Sequence, residues 1–187
     1  MGTVKSLLLG MCFVLGACTS QTSTVQTTEK GTQWEWQNGT IVVKTPERPA
    51  GQKSVLGLTT PKLEAVRVGF VGLGMRGPGA VERFTYIPGT QVVALCDYEE
   101  ARADKCQELL KKASMPKAAV YSGDKGYEEL CKRDDIDLVY VAADWLHHFP
   151  VAKCALENGK NVAIEVPSAM NLQECWDLIN LSESTRK

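Results

Sequence analysis

From Val66 onward, short apolar runs alternate with longer segments of helical pattern. The apolar runs predict strands at 66–71, 91–96, 119–121, 138–142 and 161–165, and most of them are unbroken, as in parallel strands covered on both faces. The segments between them predict helices at 76–86, 99–113, 126–132, 149–158 and 171–184. Alternation of this kind predicts an α/β fold built on a doubly wound parallel sheet.

A glycine-rich turn follows the first of these strands. Gly72, Gly74 and Gly77 form the pattern G-x-G-x-x-G, which is weak alone but meaningful between a strand and a helix. Gly72 permits a tight turn, Gly74 lets the backbone approach a pyrophosphate, and Gly77 allows close packing of helix on strand. Arg76 could bond to phosphate or simply face solvent. The turn therefore predicts a dinucleotide site in a Rossmann fold.

The second strand ends in an acidic residue. Asp97 lies twenty positions after Gly77, where a carboxylate can accept hydrogen bonds from the adenosine ribose hydroxyls. A carboxylate there would repel a 2′-phosphate, and no arginine immediately follows, so NAD is favoured over NADP. The alternative is that Asp97 serves as the N-cap of the next helix.

The fourth and fifth strands lead into two further candidate segments, "VYVAADWLHHFP" and "NVAIEVPSAM". Ligands in open parallel sheets bind beyond the carboxyl ends of the strands, so cofactor should lie against both segments. Trp145 could offer a flat face to a ring, and His147 or His148 could bond to ribose. The alternative is a packing tryptophan and a capping histidine.

The N-terminal region has the parts of an export signal. Lys5 precedes an apolar stretch from Leu7 to Ala17, which predicts a signal peptide over 1–17. The stretch ends in Leu15-Gly16-Ala17-Cys18, which resembles the lipobox of bacterial lipoproteins and predicts lipidation of Cys18. We therefore expect an exported protein that is lipid-anchored to the cell membrane or outer membrane. The alternative is a simple cleaved signal with an incidental cysteine.

The region between this signal and the sheet differs in composition from both. Residues 18–33 are rich in Thr, Gln and Ser and predict a flexible tether. Residues 34–60 predict a small hairpin, which turns at Asn38-Gly39, followed by an extended strap containing proline. Because two exposed tryptophans would be costly on a free tail, the strap should pack on the protein or on a partner subunit, which makes a homo-oligomer possible.

Composition excludes several classes of protein. The chain of 187 residues has a net charge of −1, with 44% apolar and 23% charged residues, which is typical of a globular protein and gives no electrostatic basis for nucleic-acid binding. The longest apolar run is too short to span a bilayer as a mature helix. The cysteines, at 12, 18, 96, 106, 131, 154 and 175, show no metal spacing and no disulfide framework, so we expect no metal and interpret those after Cys18 as small buried residues. One disulfide stays possible.

Several of these segments together resemble a known family. The run from Gly69 to Gly77, Asp97, and "HHFPVAKCALENGKNVAIEVPSA" are similar to the glucose–fructose oxidoreductase and inositol dehydrogenase superfamily. In that superfamily the fifth strand typically leads to Glu-Lys-Pro. This chain has Glu165, Val166 and Pro167, and valine cannot exchange the proton that the dehydrogenase lysine helps to take.

The combination of Met75-Arg76, the W-x-x-H from Trp145 to His148, Glu165-Val166-Pro167 and "ECWDLI" resembles one branch, glycoside hydrolase family 109. That resemblance implies an NAD-dependent α-N-acetylgalactosaminidase, acting on glycans or small molecules that end in N-acetylgalactosamine. It implies oxidation of the sugar at C3, elimination of the glycosidic group, addition of water and return of the hydride. Such a mechanism needs no pair of flanking carboxylates. With the spacing arguments, it gives these candidate cofactor-binding residues: Gly72, Gly74, Met75, Arg76, Gly77, Asp97, Trp145, Leu146, His147, His148, Glu165 and Val166.

The resemblance also implies that the fold continues. Residues 61–187 correspond to an NAD-binding Rossmann domain that is incomplete at its C-terminus, truncated before a C-terminal α/β substrate domain. The catalytic residues are expected beyond Lys187, and the fragment alone is expected to be inactive. Two alternatives stay open: an exported NAD-dependent sugar oxidoreductase of the same superfamily, and a non-catalytic NAD-binding module.

Overall fold

The computed structural model describes residues 26–27 and 33–187. The predicted signal peptide, Cys18 and most of the predicted tether lie outside the described residues. Two sheets are present in the described part. The smaller is antiparallel, in the order β1-β2-β3, with β1 at Gln26–Thr27, β2 at Gln33–Gln37 and β3 at Thr40–Val43. Two residues of the predicted tether thus form a strand in this structure.

The larger sheet is parallel throughout and has the order β6-β5-β4-β7-β8. Its strands are β4 (Val66–Val71), β5 (Thr90–Asp97), β6 (Ala119–Ser122), β7 (Leu138–Val141) and β8 (Asn161–Ile164). The helices that alternate with them are α1 (Gly77–Thr85), α2 (Glu100–Lys112), α3 (Gly126–Cys131), α4 (Trp145–Glu157) and α5 (Leu172–Thr185). The predicted doubly wound α/β fold is confirmed.

The core has two halves, one on each face of the sheet. On one face Phe70 and Leu95 are fully buried against α1 and α2, where Leu110 is also fully buried. On the other face Val139 and Val141 pack against α3 and α4. Because both faces are covered at the centre, β4 and β5 consist largely of buried apolar residues. Such unbroken apolar runs made these strands predictable from the sequence.

All five predicted strands of this sheet agree with the observed strands to within one residue, and so do four of the five helices. The fourth helix was predicted wrongly to begin at 149, and α4 begins at Trp145. Proline, which cannot donate a helical hydrogen bond, is tolerated best in the first turn of a helix, and Pro150 would lie there in a helix that began at 149. Asp144 instead caps the helix five residues earlier by accepting the Leu146 N–H, and Pro150 lies inside the helix.

The predicted hairpin is confirmed, with Asn38 and Gly39 at φ +49° and +78°, as a two-residue turn between β2 and β3 requires. The strap that follows packs on α5 of the same chain. Arg48 forms an ion pair with the buried Glu183, and the Gln52 side chain donates to the Asn180 carbonyl at 3.0 Å. The predicted contact between strap and protein is therefore present within one chain.

Several predictions about side chains can be compared with the described residues. Cys96, Cys106 and Cys131 are buried free thiols, but Cys154 is only half-buried and Cys175 is exposed, so the interpretation of Cys175 as a buried residue is wrong. It lies on α5, a helix that buries few of its residues in this chain. Over 26–27 and 33–187, no cluster of three His, Cys, Asp or Glu side chains is arranged to hold a metal. In the same residues no helix is long and apolar enough to cross a membrane.

Candidate active site

The glycine-rich turn connects β4 to α1, and two of its glycines are fixed by backbone contacts. Gly72 has φ +91°, and a Cβ there would lie 2.2 Å from the backbone nitrogen of Ala143. A Cβ on Gly77 would lie 2.1 Å from the carbonyl oxygen of Gly72. Because both obstacles are backbone atoms, neither can move aside cheaply. The turn is thus pressed against the end of β7 on one side and the start of α1 on the other.

Gly74 is different, because a Cβ there would meet only the Nη1 atom of Arg102, at 3.9 Å. The protein itself leaves this face of the turn open, so a ligand can approach the backbone. The adjacent N-terminus of α1 has no side-chain cap, and its N-cap residue Arg76 is exposed. Uncapped N–H groups and the positive end of a helix dipole favour an anion such as a pyrophosphate.

Asp97 ends β5 beside this turn with only 6% of its surface exposed. Its Oδ2 accepts the Leu73 N–H at 2.6 Å, and its Oδ1 accepts the Glu99 N–H at 2.9 Å. The N-cap of α2 is Glu99, so Asp97 is not the cap of that helix. The carboxylate is held rigidly by backbone donors and joins the second strand to the glycine-rich turn.

Arg102 lies beside the candidate site and was missed by sequence reasoning. Its Nη1 lies 3.2 Å from Asp97 Oδ1 and its Nη2 lies 3.1 Å from Glu99 Oε1. Side chains on a helix lean toward its N-terminus, so an arginine in the first turn of α2 reaches back to the end of β5. In the sequence it is one of several charged residues on this helix, and no signal distinguishes it from the others.

The segment after β7 forms the first turn of α4. His147 Nδ1 lies 2.6 Å from Asp144 Oδ2. Burial acts to raise the pKa of Asp144, but the hydrogen bond with His147 and those from backbone N–H groups outweigh it and lower the pKa. His147 thus pairs with the N-cap residue Asp144, which is the structural role that was the alternative to ribose binding. Trp145 and Leu146 are 61% and 73% exposed at this end of the sheet.

His148 has the opposite environment, since only 2% of it is exposed. Its Nδ1 lies 2.7 Å from the carbonyl oxygen of Pro167, which can only accept, so Nδ1 carries the hydrogen. Its Nε2 is buried and has no hydrogen-bond partner among the described residues. The ring thus ties α4 to the loop after β8 and leaves one unsatisfied nitrogen.

The loop after β8 carries Glu165 and Val166. Glu165 Oε1 accepts a hydrogen bond from the Tyr140 hydroxyl at 2.8 Å. Burial and this hydrogen bond raise the pKa of Tyr140. Val166 is 82% exposed, and the peptide bond between it and Pro167 is cis. The carboxylate of Glu165 is therefore engaged with the strand beside it, whereas the Val166 side chain is open to solvent.

The candidate residues share one edge of the sheet. They follow the carboxyl ends of β4, β5, β7 and β8, and Gly72 touches the residues after β7, at the point where the strand order reverses. Open parallel sheets bind ligands at this switch point. A cavity of about 370 Å³ lies elsewhere, between α3 and α4, and none of the candidate residues lines it. The candidate site is an open edge of the sheet with exposed apolar side chains around it.

This edge fits a dinucleotide on three structural observations. The open face of Gly74 provides room for a phosphate to reach the backbone, and the uncapped start of α1 provides donors. Asp97 provides a buried, immobile carboxylate at the end of the neighbouring strand. The positions and chemical types of these groups are those that bind pyrophosphate and ribose in a Rossmann fold.

Comparison with known proteins agrees with this geometry. Residues 66–187 match the family described as "Oxidoreductase family, NAD-binding Rossmann fold" (Gfo/Idh/MocA). The chain belongs to this family. Its cofactor is accordingly NAD, and the Gfo/Idh/MocA resemblance drawn from the sequence motifs is confirmed.

Relatives of this Gfo/Idh/MocA chain carry a glycosidase name. It is 79% identical over its whole length to glycosyl hydrolase family 109 protein 4 of Phocaeicola vulgatus, of which it covers 36%. It is 56% identical, over 98% of its length, to glycosyl hydrolase family 109 protein 1 of Bacteroides thetaiotaomicron, of which it covers 38%. The resemblance to family 109 is confirmed, and the chain spans about a third of the length of these curated relatives.

Solved structures show the same fold with nicotinamide cofactors bound. A myo-inositol dehydrogenase from Lactobacillus casei, in complex with NAD(H) and myo-inositol, is 26% identical with a TM-score of 0.56, over 64% of this chain and 34% of that one. A biliverdin reductase from Synechocystis, in complex with biliverdin and NADP+, is 27% identical with a TM-score of 0.56, over 65% of this chain and 36% of that one.

Proposed function

We propose that the full-length protein hydrolyses terminal α-linked N-acetylgalactosamine by the oxidation–elimination–addition–reduction route, with NAD held at the edge described above. The observation that carries the proposal is Val166. This residue lies at the cofactor edge with 82% of its surface exposed, where alcohol dehydrogenases of the family carry a lysine. A dinucleotide site that is complete but lacks that proton acceptor fits the family 109 names of the relatives better than it fits a dehydrogenase.

The residues of this chain would hold and orient the cofactor. The turn from Gly72 to Gly77 would bind the pyrophosphate, and Asp97 would bind the adenosine ribose through its hydroxyls. Trp145 and His148 lie after β7, where the nicotinamide half is expected. When bound, NAD would supply a hydride acceptor that is restored in each turnover, because the hydride returns to the same sugar.

Proton transfer to and from the sugar is left to residues outside this domain. Val166 cannot exchange a proton, and Glu165 is hydrogen-bonded to Tyr140. The exposed apolar side chains around the edge, Met75, Trp145, Leu146 and Val166, are 61% to 91% exposed. We expect a substrate domain in the remaining two thirds of the protein to cover them and to supply the acid and base.

We also propose that the protein is exported and anchored through Cys18. This proposal is supported by the apolar run before Leu15-Gly16-Ala17-Cys18. Location outside the cytoplasm suits an enzyme that returns its hydride, because no external supply of NAD is needed once the cofactor is bound.

Self-association stays a prediction, which the hairpin favours because Trp36 and Ile41 remain more than half exposed.

The test uses the full-length protein and an aryl α-N-acetylgalactosaminide. Release of the aryl group and the absorbance of reduced nicotinamide are followed together. We expect steady aryl release with no net reduction of NAD, and no activity from the isolated 187-residue chain. Stoichiometric accumulation of NADH would show the oxidoreductase alternative instead. Full activity after removal of NAD would reject the mechanism, and bound NAD without any turnover of sugar would indicate a non-catalytic module.

A further inference from the structure

Arg102 lies between the two parts of the cofactor site that the sequence identified. Its guanidinium contacts Asp97, the expected ribose ligand, at 3.2 Å. The same Nη1 atom is the nearest atom to the open face of Gly74, 3.9 Å from where a Cβ would be. No other side chain among the described residues links the ribose carboxylate to the face of the turn that is open to a pyrophosphate.

The position of this arginine is electrostatically unfavourable for the helix that carries it. Arg102 is in the first turn of α2, where the helix dipole favours negative groups and disfavours a cation. Two carboxylates compensate for this, since Asp97 and Glu99 both pair with the guanidinium. The Arg102 side chain remains 41% exposed, so it is accessible to a ligand from solvent.

The guanidinium can bind an anion without releasing its present partners. It has five N–H donors in a planar fork, and the contacts to Asp97 and Glu99 involve one hydrogen bond from each Nη atom. The remaining donors are suited to phosphate oxygens, which guanidinium groups bind with charge-assisted hydrogen bonds. A neutral adenosine offers no such partner.

We propose that Arg102 binds the diphosphate of the dinucleotide while it holds Asp97 in place for the ribose. Arg102 thus supplies the positive charge of the adenosine side of the site, beside donors from the glycine-rich turn. This inference rests on the assignment of the edge as an NAD site. It adds a cofactor-binding residue that neither the glycine pattern nor the position of Asp97 identifies.

The test measures how tightly two ligands that differ in phosphate content bind the full-length protein. Each ligand competes with NADH, whose fluorescence reports its displacement. ADP-ribose carries the diphosphate, and adenosine does not. Arg102→Gln keeps an amide donor near Asp97 without the charge, and Arg102→Lys restores a charge. Lys105→Ala, an exposed cation one turn further along α2, is the matched control.

We expect Arg102→Gln to weaken the binding of ADP-ribose by about tenfold or more, as for the loss of one hydrogen bond to a charged group. The binding of adenosine should weaken by less than about threefold. Arg102→Lys should restore part of the ADP-ribose affinity, and Lys105→Ala should change the affinity for neither ligand. Raising the salt concentration should weaken ADP-ribose binding more in the parent protein than in Arg102→Gln.

Two results would overturn the inference. Equal losses for adenosine and ADP-ribose would show that Arg102 acts only by holding Asp97, and unchanged affinities would show no contact with the cofactor. Failure of the parent protein to bind NADH is a separate result, because it would reject the NAD site itself. Thermal unfolding of each variant shows whether a loss of binding reflects a loss of folded protein.

Discussion

The Gly74→Ala substitution tests whether the open face of the turn is a cofactor surface. A methyl group there would meet nothing within 4 Å except Arg102 Nη1 at 3.9 Å, an ordinary contact. The φ of Gly74 is not in the left-handed region, so alanine can adopt the backbone conformation. The substitution therefore leaves the protein unstrained and fills only the space that a pyrophosphate would occupy.

These contacts set the expected magnitudes. The free energy of unfolding should stay equal or rise by up to about 1 kcal/mol, because alanine restricts the unfolded chain. NADH affinity should fall about 10- to 150-fold, which corresponds to the loss of one hydrogen bond to a charged group, about 1.5–3 kcal/mol. Stability and binding should thus change in opposite directions.

Two neighbouring glycines provide matched controls for the same chemical change. A Cβ on Gly79 would meet only Arg83 Nη1 at 3.5 Å, so Gly79→Ala should stabilise α1 by about 0.5–1 kcal/mol and leave binding unchanged. A Cβ on Gly77 would clash with a backbone oxygen, so Gly77→Ala should destabilise the fold by about 1–3 kcal/mol and weaken binding as well.

Urea unfolding and NADH fluorescence titration on the three full-length variants give both quantities. The assignment of this face of the turn to the cofactor fails if Gly74→Ala binds NADH as tightly as the parent protein does. It also fails if Gly74→Ala loses stability to the same extent as Gly77→Ala, because the loss of binding would then follow from damage to the turn.

Three further predictions concern other parts of the chain. Asp97→Ala should weaken NAD binding by about 1.5–3 kcal/mol, measured by calorimetry, and unchanged cofactor occupancy would refute its role as ribose ligand. The hydrogen bond from Arg67 is the main cause that lowers the pKa of Asp137, so this carboxylate stabilises the fold above its unfolded pKa near 4 and loses that contribution as pH falls through its lower folded value. Asp137→Asn should therefore lose stability at pH 7 and progressively less as pH falls below about 4, measured by urea unfolding, and a loss independent of pH would contradict this. Cys18→Ala should move the protein from the membrane to the soluble fraction, and an unmodified Cys18 in the mature protein, shown by mass spectrometry, would exclude lipidation.

The sequence by itself determined the sheet and the positions of most candidate cofactor-binding residues along its edge. The strands were predictable because β4 and β5 are covered on both faces and so consist of apolar runs. The positions of the three glycines and Asp97 were predictable because they depend on local backbone geometry at the ends of two consecutive strands. Such requirements fix residue types at fixed spacings, which a single sequence displays.

Tertiary structure decided the features that depend on contacts between distant segments. Glu165 pairs with Tyr140 across two neighbouring strands, and the strap pairs Arg48 with Glu183 on the last helix. Nothing in the spacing of these residues shows that they meet. The start of α4, by contrast, was missed for a local reason, because Asp144 caps the helix through the Leu146 N–H and Pro150 lies inside it.

Arg102 shows the physical reason most directly. In the sequence it is one of several charged residues on an amphipathic helix, and most such residues are solvated. Its contact with Asp97 depends on the direction in which α2 leaves the sheet and on the lean of its side chains toward the helix N-terminus. Spacing along the chain determines which groups are available, but the angle at which α2 leaves β5 determines which of them reach the site.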